Sequence, residues 1–134
     1  IAIVQGNIIR NLIPKRPIGT APDDDAGVGI YVEADATVSG NVVENAPSVG
    51  ILAGWGKYLR DIAISGNVVR NAFVGIGVSV MPGAGTALVS NNMISGSARG
   101  AVVGLDHARP ATPDLTAKGA QSFAQIALSG NTVR

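Results

Sequence analysis

Short aliphatic runs recur along the chain, and the same polar break divides each of them. Val4-Gln5-Gly6-Asn7-Ile8-Ile9, Val38-Ser39-Gly40-Asn41-Val42-Val43, Ile64-Ser65-Gly66-Asn67-Val68-Val69, Val89-Ser90-Asn91-Asn92-Met93-Ile94 and Leu128-Ser129-Gly130-Asn131-Thr132-Val133 are copies of one pattern. The repeated Asn residues are separated by 34, 26, 25 and 39 residues. The two short spacings define a basic unit, and the two long ones carry insertions. A period of this size marks a solenoid. It is too short for two helices with their turns. Its apolar runs are short, rich in Val and Ile, and bounded by Gly and Asn, which reads as strands.

Three strands fit each unit. In the third copy they fall at 62–65, 68–71 and 75–80; elsewhere they fall at 36–39, 42–45 and 50–53, then 87–90, 93–95 and 100–105. Each strand stacking on its counterpart one unit away makes an all-β parallel β-helix of about five coils, rising ~4.8 Å per coil. The whole chain, 1–134, then forms one domain. Alternation assigns the interior. Val4, Val38, Ile64, Val89 and Leu128 form one inward column, and Ile9, Val43, Val69, Ile94 and Val133 form another. On the third strand, Ile30, Ile51, Ile76 and Ala101 align, followed by Val32, Ala53, Val78 and Val103. Each large side chain buried this way contributes roughly 1.5–3 kcal/mol.

The polar break has its own logic. The chain must turn sharply there, so a residue with φ > 0 is needed. Gly6, Gly40, Gly66 and Gly130 meet that need without steric cost, and Asn91 is the best-tolerated substitute. Asn7, Asn41, Asn67, Asn92 and Asn131 then stack as a structural ladder, their amides serving buried backbone groups. A second column, Asn11, Asn45 and Asn71, gives way to Gly96. Outside it, Glu44 lies between Arg10 and Arg70, a neutralising surface stack.

Composition narrows the function. Net charge is +1 and only 14% of residues are charged, so no broad electrostatic footprint for nucleic acid or membrane exists. Aromatics make up 4%, too few for a base-stacking platform. The absence of Cys excludes disulfide scaffolds and Cys-based zinc sites. No apolar run reaches the ~18 residues of a membrane span. Ile1 and Arg134 both fall inside repeats, which reads as a piece of a longer protein whose exposed end strands could associate end to end.

The pattern at 62–76, I-x-I-S-G-N-x-V-R-N-A-x-x-G-I, resembles the right-handed parallel β-helix repeat of pectate-lyase-like proteins. Residues 69–80, 81–85 and 104–110 further resemble a bacterial family of twin-arginine-translocated repetitive proteins of unknown function. The resemblance implies a right-handed, single-stranded helix and export to the periplasm or beyond, with no known chemistry. Fold analogy by itself assigns no reaction.

Insertions mark where a solenoid is elaborated. Here 12–26, 54–61, 81–86 and 106–125 flank the third strands and would wall a groove. Its floor would carry the outward residues Gly29, Tyr31, Glu33, Leu52, Gly54, Gly75, Gly77, Ser79, Gly100, Val102 and Gly104. In carbohydrate-active enzymes of similar fold, the sugar chain lies along this sheet. Tyr31 and Glu33 on the floor, with Trp55 and Tyr58 on a wall, are the candidate substrate-binding residues, since aromatic faces suit sugars; simple loop anchors are the plainer reading. Asp106, His107 and Arg109 form the candidate catalytic cluster. His107, the sole His, could exchange protons near neutral pH, and Arg109 could neutralise a sugar carboxylate. The competing reading is a loop His held by an ion pair.

Asp23, Asp24 and Asp25, with Glu33 and Asp35 nearby, could collect calcium. Their spacing matches no EF-hand, and a solvated acidic loop explains them as well. Otherwise no cofactor and no metal site is expected. Three functions remain: a module that binds polysaccharide, a lyase, hydrolase or epimerase acting on an acidic glycan, and a structural rod.

Overall fold

The computed structural model describes residues 1–13 and 27–134. Asp23, Asp24, Asp25 and most of the 12–26 insertion lie outside the described residues. The strands are β1 (Ala2–Gln5), β2 (Ile8–Arg10), β3 (Ile30–Val32), β4 (Ala34–Ser39), β5 (Val42–Glu44), β6 (Val49–Ala53), β7 (Arg60–Ser65) and β8 (Val68–Arg70). They continue as β9 (Val74–Ser79), β10 (Ala87–Ser90), β11 (Met93–Ser95), β12 (Gly100–Asp106), β13 (Arg109–Asp114), β14 (Ile126–Ser129) and β15 (Thr132–Val133). One short 3-10 turn, Gly56–Tyr58, is the only helical element among the described residues, and no helix there is long and apolar enough to cross a membrane.

The described residues are all-β, with three sheets of mostly parallel strands. The first has the order β1-β4-β7-β10-β14, the second β15-β11-β8-β5-β2, and the third β13-β12-β9-β6-β3. Apart from β13, which returns antiparallel beside β12, successive strands enter successive sheets, and each pairs with its counterpart from the neighbouring repeat. Val4, Val38, Ile64, Val89 and Leu128 are in register, as are Ile9, Val43, Val69, Ile94 and Val133. All of these but Val133, which is exposed, feed one apolar cluster that also takes Ile30, Ile51, Ile76 and Val102 from the third sheet.

The expected corners are present. Gly6, Gly40, Gly66 and Gly130 have φ between 65 and 71°, and Asn91 has φ 57°. The second column turns out to be a corner of the same kind, since Asn11, Asn45 and Asn71 have φ of 58, 57 and 55° and Gly96 has 67°. This explains why Gly replaces Asn there: both tolerate the left-handed region. On the surface, Arg70 meets Glu44 at 3.4 Å.

The ladder is continuous. The backbone N–H groups of Asn7, Asn41, Asn67 and Asn92 each donate to the Oδ1 of the next Asn at 2.9–3.0 Å. Each Nδ2 donates to the same oxygen at 3.0 Å. The Nδ2 groups of Asn41, Asn67, Asn92 and Asn131 also reach back to the carbonyls of Val4, Val38, Ile64 and Val89 at 2.9–3.1 Å. Asn41, Asn67 and Asn92 are 1% exposed, so these bonds stand in for water that cannot enter.

The third sheet departs from expectation in two ways. Val102, not Ala101, pairs with Ile76, and Gly104, not Val103, pairs with Val78. The link from Asn92 to its third strand is one residue longer than that from Asn67. A slip of one residue exchanges the faces of a strand, so Val103 points outward and packs with Leu52 and Leu105. Moreover, Gly29 and Gly75 do not form an open floor. A Cβ on Gly29 would lie 2.6 Å from the Gly50 carbonyl oxygen and 2.7 Å from Val43 Cγ1. One on Gly75 would lie 2.6 Å from the Ala101 oxygen. These glycines let neighbouring strands close together and leave no space for a ligand.

Candidate functional site

The outer face of the third sheet is roofed over much of its length. Val49, Leu52, Val74, Val103, Leu105 and Ala108 form a second apolar cluster there, with Val28 and Trp55 packed against it. Leu52 and Ser79, expected on an open floor, are fully buried, and Leu105 covers Gly77. The roof is the β12–β13 hairpin. Its antiparallel return strand joins the sheet edge, with Asp106 opposite Arg109 and Leu105 opposite Pro110. Asp114 fastens the far end of this strand. Its carboxylate accepts the Ala101 N–H at 2.8 Å, the Val102 N–H at 3.4 Å, and the Thr116 N–H and hydroxyl at 2.9 and 2.7 Å. Burial pushes this carboxyl up, but the hydrogen bonds from Ala101, Thr116 and Val102 outweigh it and hold it below the usual carboxylate range.

The hairpin apex carries His107. It occupies the first position of a two-residue connection, where φ > 0 is needed and Gly or Asn is the usual choice. His107 adopts φ 57° there, a conformation costing about 1–2 kcal/mol relative to Gly. Adjacent side chains on an extended strand point apart. The left-handed backbone cancels that divergence, and His107 Nδ1 lies 2.7 Å from Asp106 Oδ1. Arg109 Nη2 approaches the other carboxylate oxygen at 3.5 Å.

The imidazole is held on two further sides. Its ring meets Trp55 edge to face, with centroids 5.0 Å apart and planes at 77°. It also lies over Gly56, where a Cβ would come 2.9 Å from Nε2. Gly56 has φ 58°, and its carbonyl accepts the Ser79 hydroxyl at 2.6 Å. Trp55 in turn meets Tyr31, with centroids 6.2 Å apart and planes at 78°. The Tyr31 hydroxyl donates to Glu33 Oε1 at 3.2 Å. Three rings from three parts of the chain thus stand in file, with Glu33 beyond one end and Asp106–Arg109 beyond the other. Perpendicular ring contacts of this kind are worth ~0.5–1.5 kcal/mol each beyond area burial, so the file is stiff.

Six of the seven residues singled out from the sequence therefore converge: Tyr31, Glu33, Trp55, Asp106, His107 and Arg109. Tyr58, 59% exposed, has the Lys57 ammonium 5.3 Å from its ring centroid and takes no part in the ring contacts above. Gly56, over which the imidazole lies, escaped sequence reasoning, and Ser79, expected only as a floor residue, anchors it through its carbonyl; the Gly-Trp-Gly run at 54–56 was the available signal. A separate shallow trough of about 730 Å³ on the outer face of the first sheet is lined by Asp35, Thr37, Asp61, Ala63, Thr86 and Leu88, among others. Its two carboxylates and the Thr86 hydroxyl are already engaged. Asp35 pairs with Arg60, whose hydrogen bond lowers the pKa of the carboxyl, and Asp61 accepts the Thr86 hydroxyl at 2.8 Å. Among the described residues no cluster of His, Asp or Glu is able to hold a metal ion.

Comparison with protein-family models, with curated proteins and with solved structures finds no match to this chain.

Proposed function

We propose that the chain is a right-handed, single-stranded parallel β-helix of pectate-lyase-like type, with about five coils of three strands, and that it is an exported module binding polysaccharide on its third-strand face. The passage of consecutive strands through three sheets in fixed register supports the fold reading. The export reading, periplasmic or extracellular, rests on the resemblance of 69–80, 81–85 and 104–110 to twin-arginine-translocated repetitive proteins. The binding reading rests on one observation: the stiff Tyr31–Trp55–His107 file, flanked by Glu33 at one end and Arg109 at the other. Rings offer apolar faces to a sugar, and the flanking charged groups can bond its hydroxyls or carboxylates. Because Leu105 and its neighbours fill the sheet behind, the glycan would cross this ridge and would not lie in a deep groove.

The test is a panel of acidic and neutral polysaccharides, followed by calorimetry on any that bind. Trp55→Ala should weaken binding about tenfold or more, and Arg109→Ala should weaken binding of acidic glycans selectively. Failure of the intact chain to bind any polysaccharide overturns the reading.

One observation favours a catalytic alternative, a lyase, hydrolase or epimerase acting on an acidic glycan. Asp106 bonds His107 at 2.7 Å, and the backbone holding them is strained, a combination found at proton-transfer sites. Against it, His107 Nε2 lies over Gly56, so the nitrogen that would take a proton faces protein. Unsaturated uronate released from an acidic polysaccharide, and abolished in His107→Ala, would decide for catalysis.

A further inference from the structure

The outer face of the second sheet carries its own regular pattern. Residues one and three places after each ladder Asn point outward, on either side of the inward column. The first set is apolar: Ile8, Val42, Val68 and Met93 lie in register, with Ile8 66% and Met93 57% exposed. The second set is Arg10, Glu44, Arg70 and Ser95, also in register. Arg134 stands beside Ser95, since its N–H donates to the Ile94 carbonyl at 2.9 Å and its carbonyl accepts the Gly96 N–H at 3.2 Å. Arginines therefore recur at every second strand, ~9.6 Å apart between backbones. The short Ser95 leaves a depression of about 130 Å³ bounded by Arg70, Met93 and Arg134. A third column borders the second at the corner, where Asn45 Nδ2 donates to Asn11 Oδ1 at 2.7 Å and Asn71 Nδ2 to Asn45 Oδ1 at 3.4 Å, all three side chains being exposed.

We infer that this face is a second binding surface, independent of the Tyr31–Trp55–His107 file, for a linear acidic glycan that turns a carboxylate toward the protein at every second sugar. The glycan runs along the stack, across the strands. One strand spacing of ~4.8 Å then takes one sugar, being close to the length of a pyranose residue in an extended chain. Arg10, Arg70 and Arg134 receive the carboxylates. Glu44 and Ser95 fall opposite the intervening sugars, where their oxygens accept hydroxyl protons. The apolar column supports the C–H faces of the rings, and the Asn amides border the other side. Arg70 meets Glu44 at 3.4 Å, but the two side chains are 52% and 30% exposed, and a pair of that kind opens readily for a better partner. Spacing decides against nucleic acid. Phosphates along a duplex strand recur at about 3.4 Å, which sets some of them against Glu44, and neither outward column offers a ring on which a base could stack.

The spacing names the test. Hyaluronan, which alternates a uronate with a neutral amino sugar, is the probe, cut to oligomers of about four, six and ten sugars. Binding is measured by calorimetry at low salt on the Trp55→Ala chain, which removes the ridge on the third sheet and keeps the two surfaces distinct. The six-sugar oligomer carries one carboxylate for each of the three arginines, so affinity should rise about tenfold from four sugars to six and change little at ten. Arg10→Ala should bring the six-sugar oligomer down to the affinity of the four-sugar one and leave the latter unchanged, because Arg70 and Arg134 still hold it. Arg70→Ala should weaken both about tenfold or more. These exposed substitutions should leave the urea midpoint in place. Absence of binding, an affinity that Arg70→Ala does not lower, or equal binding of poly-glutamate or single-stranded DNA of the same charge overturns the inference.

Discussion

Replacing Asn67 by Ala removes the middle rung of the ladder while leaving every aliphatic column intact. Asn67 is 1% exposed, and its Oδ1 accepts the Asn41 N–H and Nδ2, both at 3.0 Å. Its Nδ2 donates to the Val38 carbonyl at 2.9 Å, the Ser65 carbonyl at 3.2 Å and Asn92 Oδ1 at 3.0 Å. After truncation the Asn41 N–H has no acceptor, and the Val38 carbonyl loses its donor. Asn92 Oδ1 keeps the Asn67 backbone N–H at 3.0 Å. Two buried groups left short, at about 1–3 kcal/mol each, predict a loss of about 2–6 kcal/mol, a large part of the 5–15 kcal/mol typical of a domain. Urea unfolding reads this as a lower midpoint at unchanged slope. Asn67→Asp sharpens the prediction. It keeps one acceptor but sets a second carboxylate oxygen against the Val38 and Asn92 oxygens. The buried charge disfavours the folded state, so this variant's deficit should narrow as pH falls and the carboxyl takes up a proton. A loss below about 1 kcal/mol for Asn67→Ala, against the ~1–3 kcal/mol expected for each orphaned group, with no pH trend in Asn67→Asp, would refute the reasoning.

Asp114 should give a pH dependence of the opposite sign. Its folded pKa is depressed, so its stabilisation is complete above the unfolded value of about 4 and is lost as pH falls through the lower folded value. Urea midpoints should therefore fall in acid, and Asp114→Asn should flatten that part of the profile while lowering stability at neutral pH. Two glycine substitutions separate crowding from backbone strain. Gly50→Ala places a methyl 2.6 Å from the Gly75 oxygen, whereas Gly40→Ala meets nothing within 4 Å but keeps φ 65°. The first should cost more than the ~1–2 kcal/mol expected of the second, as measured by thermal or urea unfolding.

Much of the fold was legible because one feature repeats. The Gly-Asn break fixes a corner, the corner fixes register, and register fixes the two aliphatic columns and the Asn ladder. The third strands were less legible. Between Asn92 and Val102 the connection gains one residue, and an alternation pattern anchored on Asn cannot detect slack at a corner. The roof was hidden for another reason. β13 carries Pro110 and Pro113, and its turn places His107 where Gly is usual, so the segment reads as an irregular insertion. Leu52 and Leu105 were the available signal, being large aliphatics at or beside outward positions. For the candidate site, the sequence assigned Tyr31, Trp55 and His107 to floor, wall and loop of one region. Their direct contact required the hairpin to fold back over Leu52 and Gly77, and no local pattern encodes that return.

In-register stacking of equivalent positions is the claim on which the ladder and the hairpin roof both depend. Thr37, Ala63, Leu88 and Ala127 form one column on the first sheet. Spin labels at Thr37 and Ala127 should be three strand spacings apart, about 14 Å between backbones at ~4.8 Å per step, and dipolar electron paramagnetic resonance measures that separation directly. A narrow distribution near this value, allowing for the label arms, is the expected result. A broad distribution, or one centred beyond about 30 Å, roughly twice the ~4.8 Å-per-strand expectation, would contradict it.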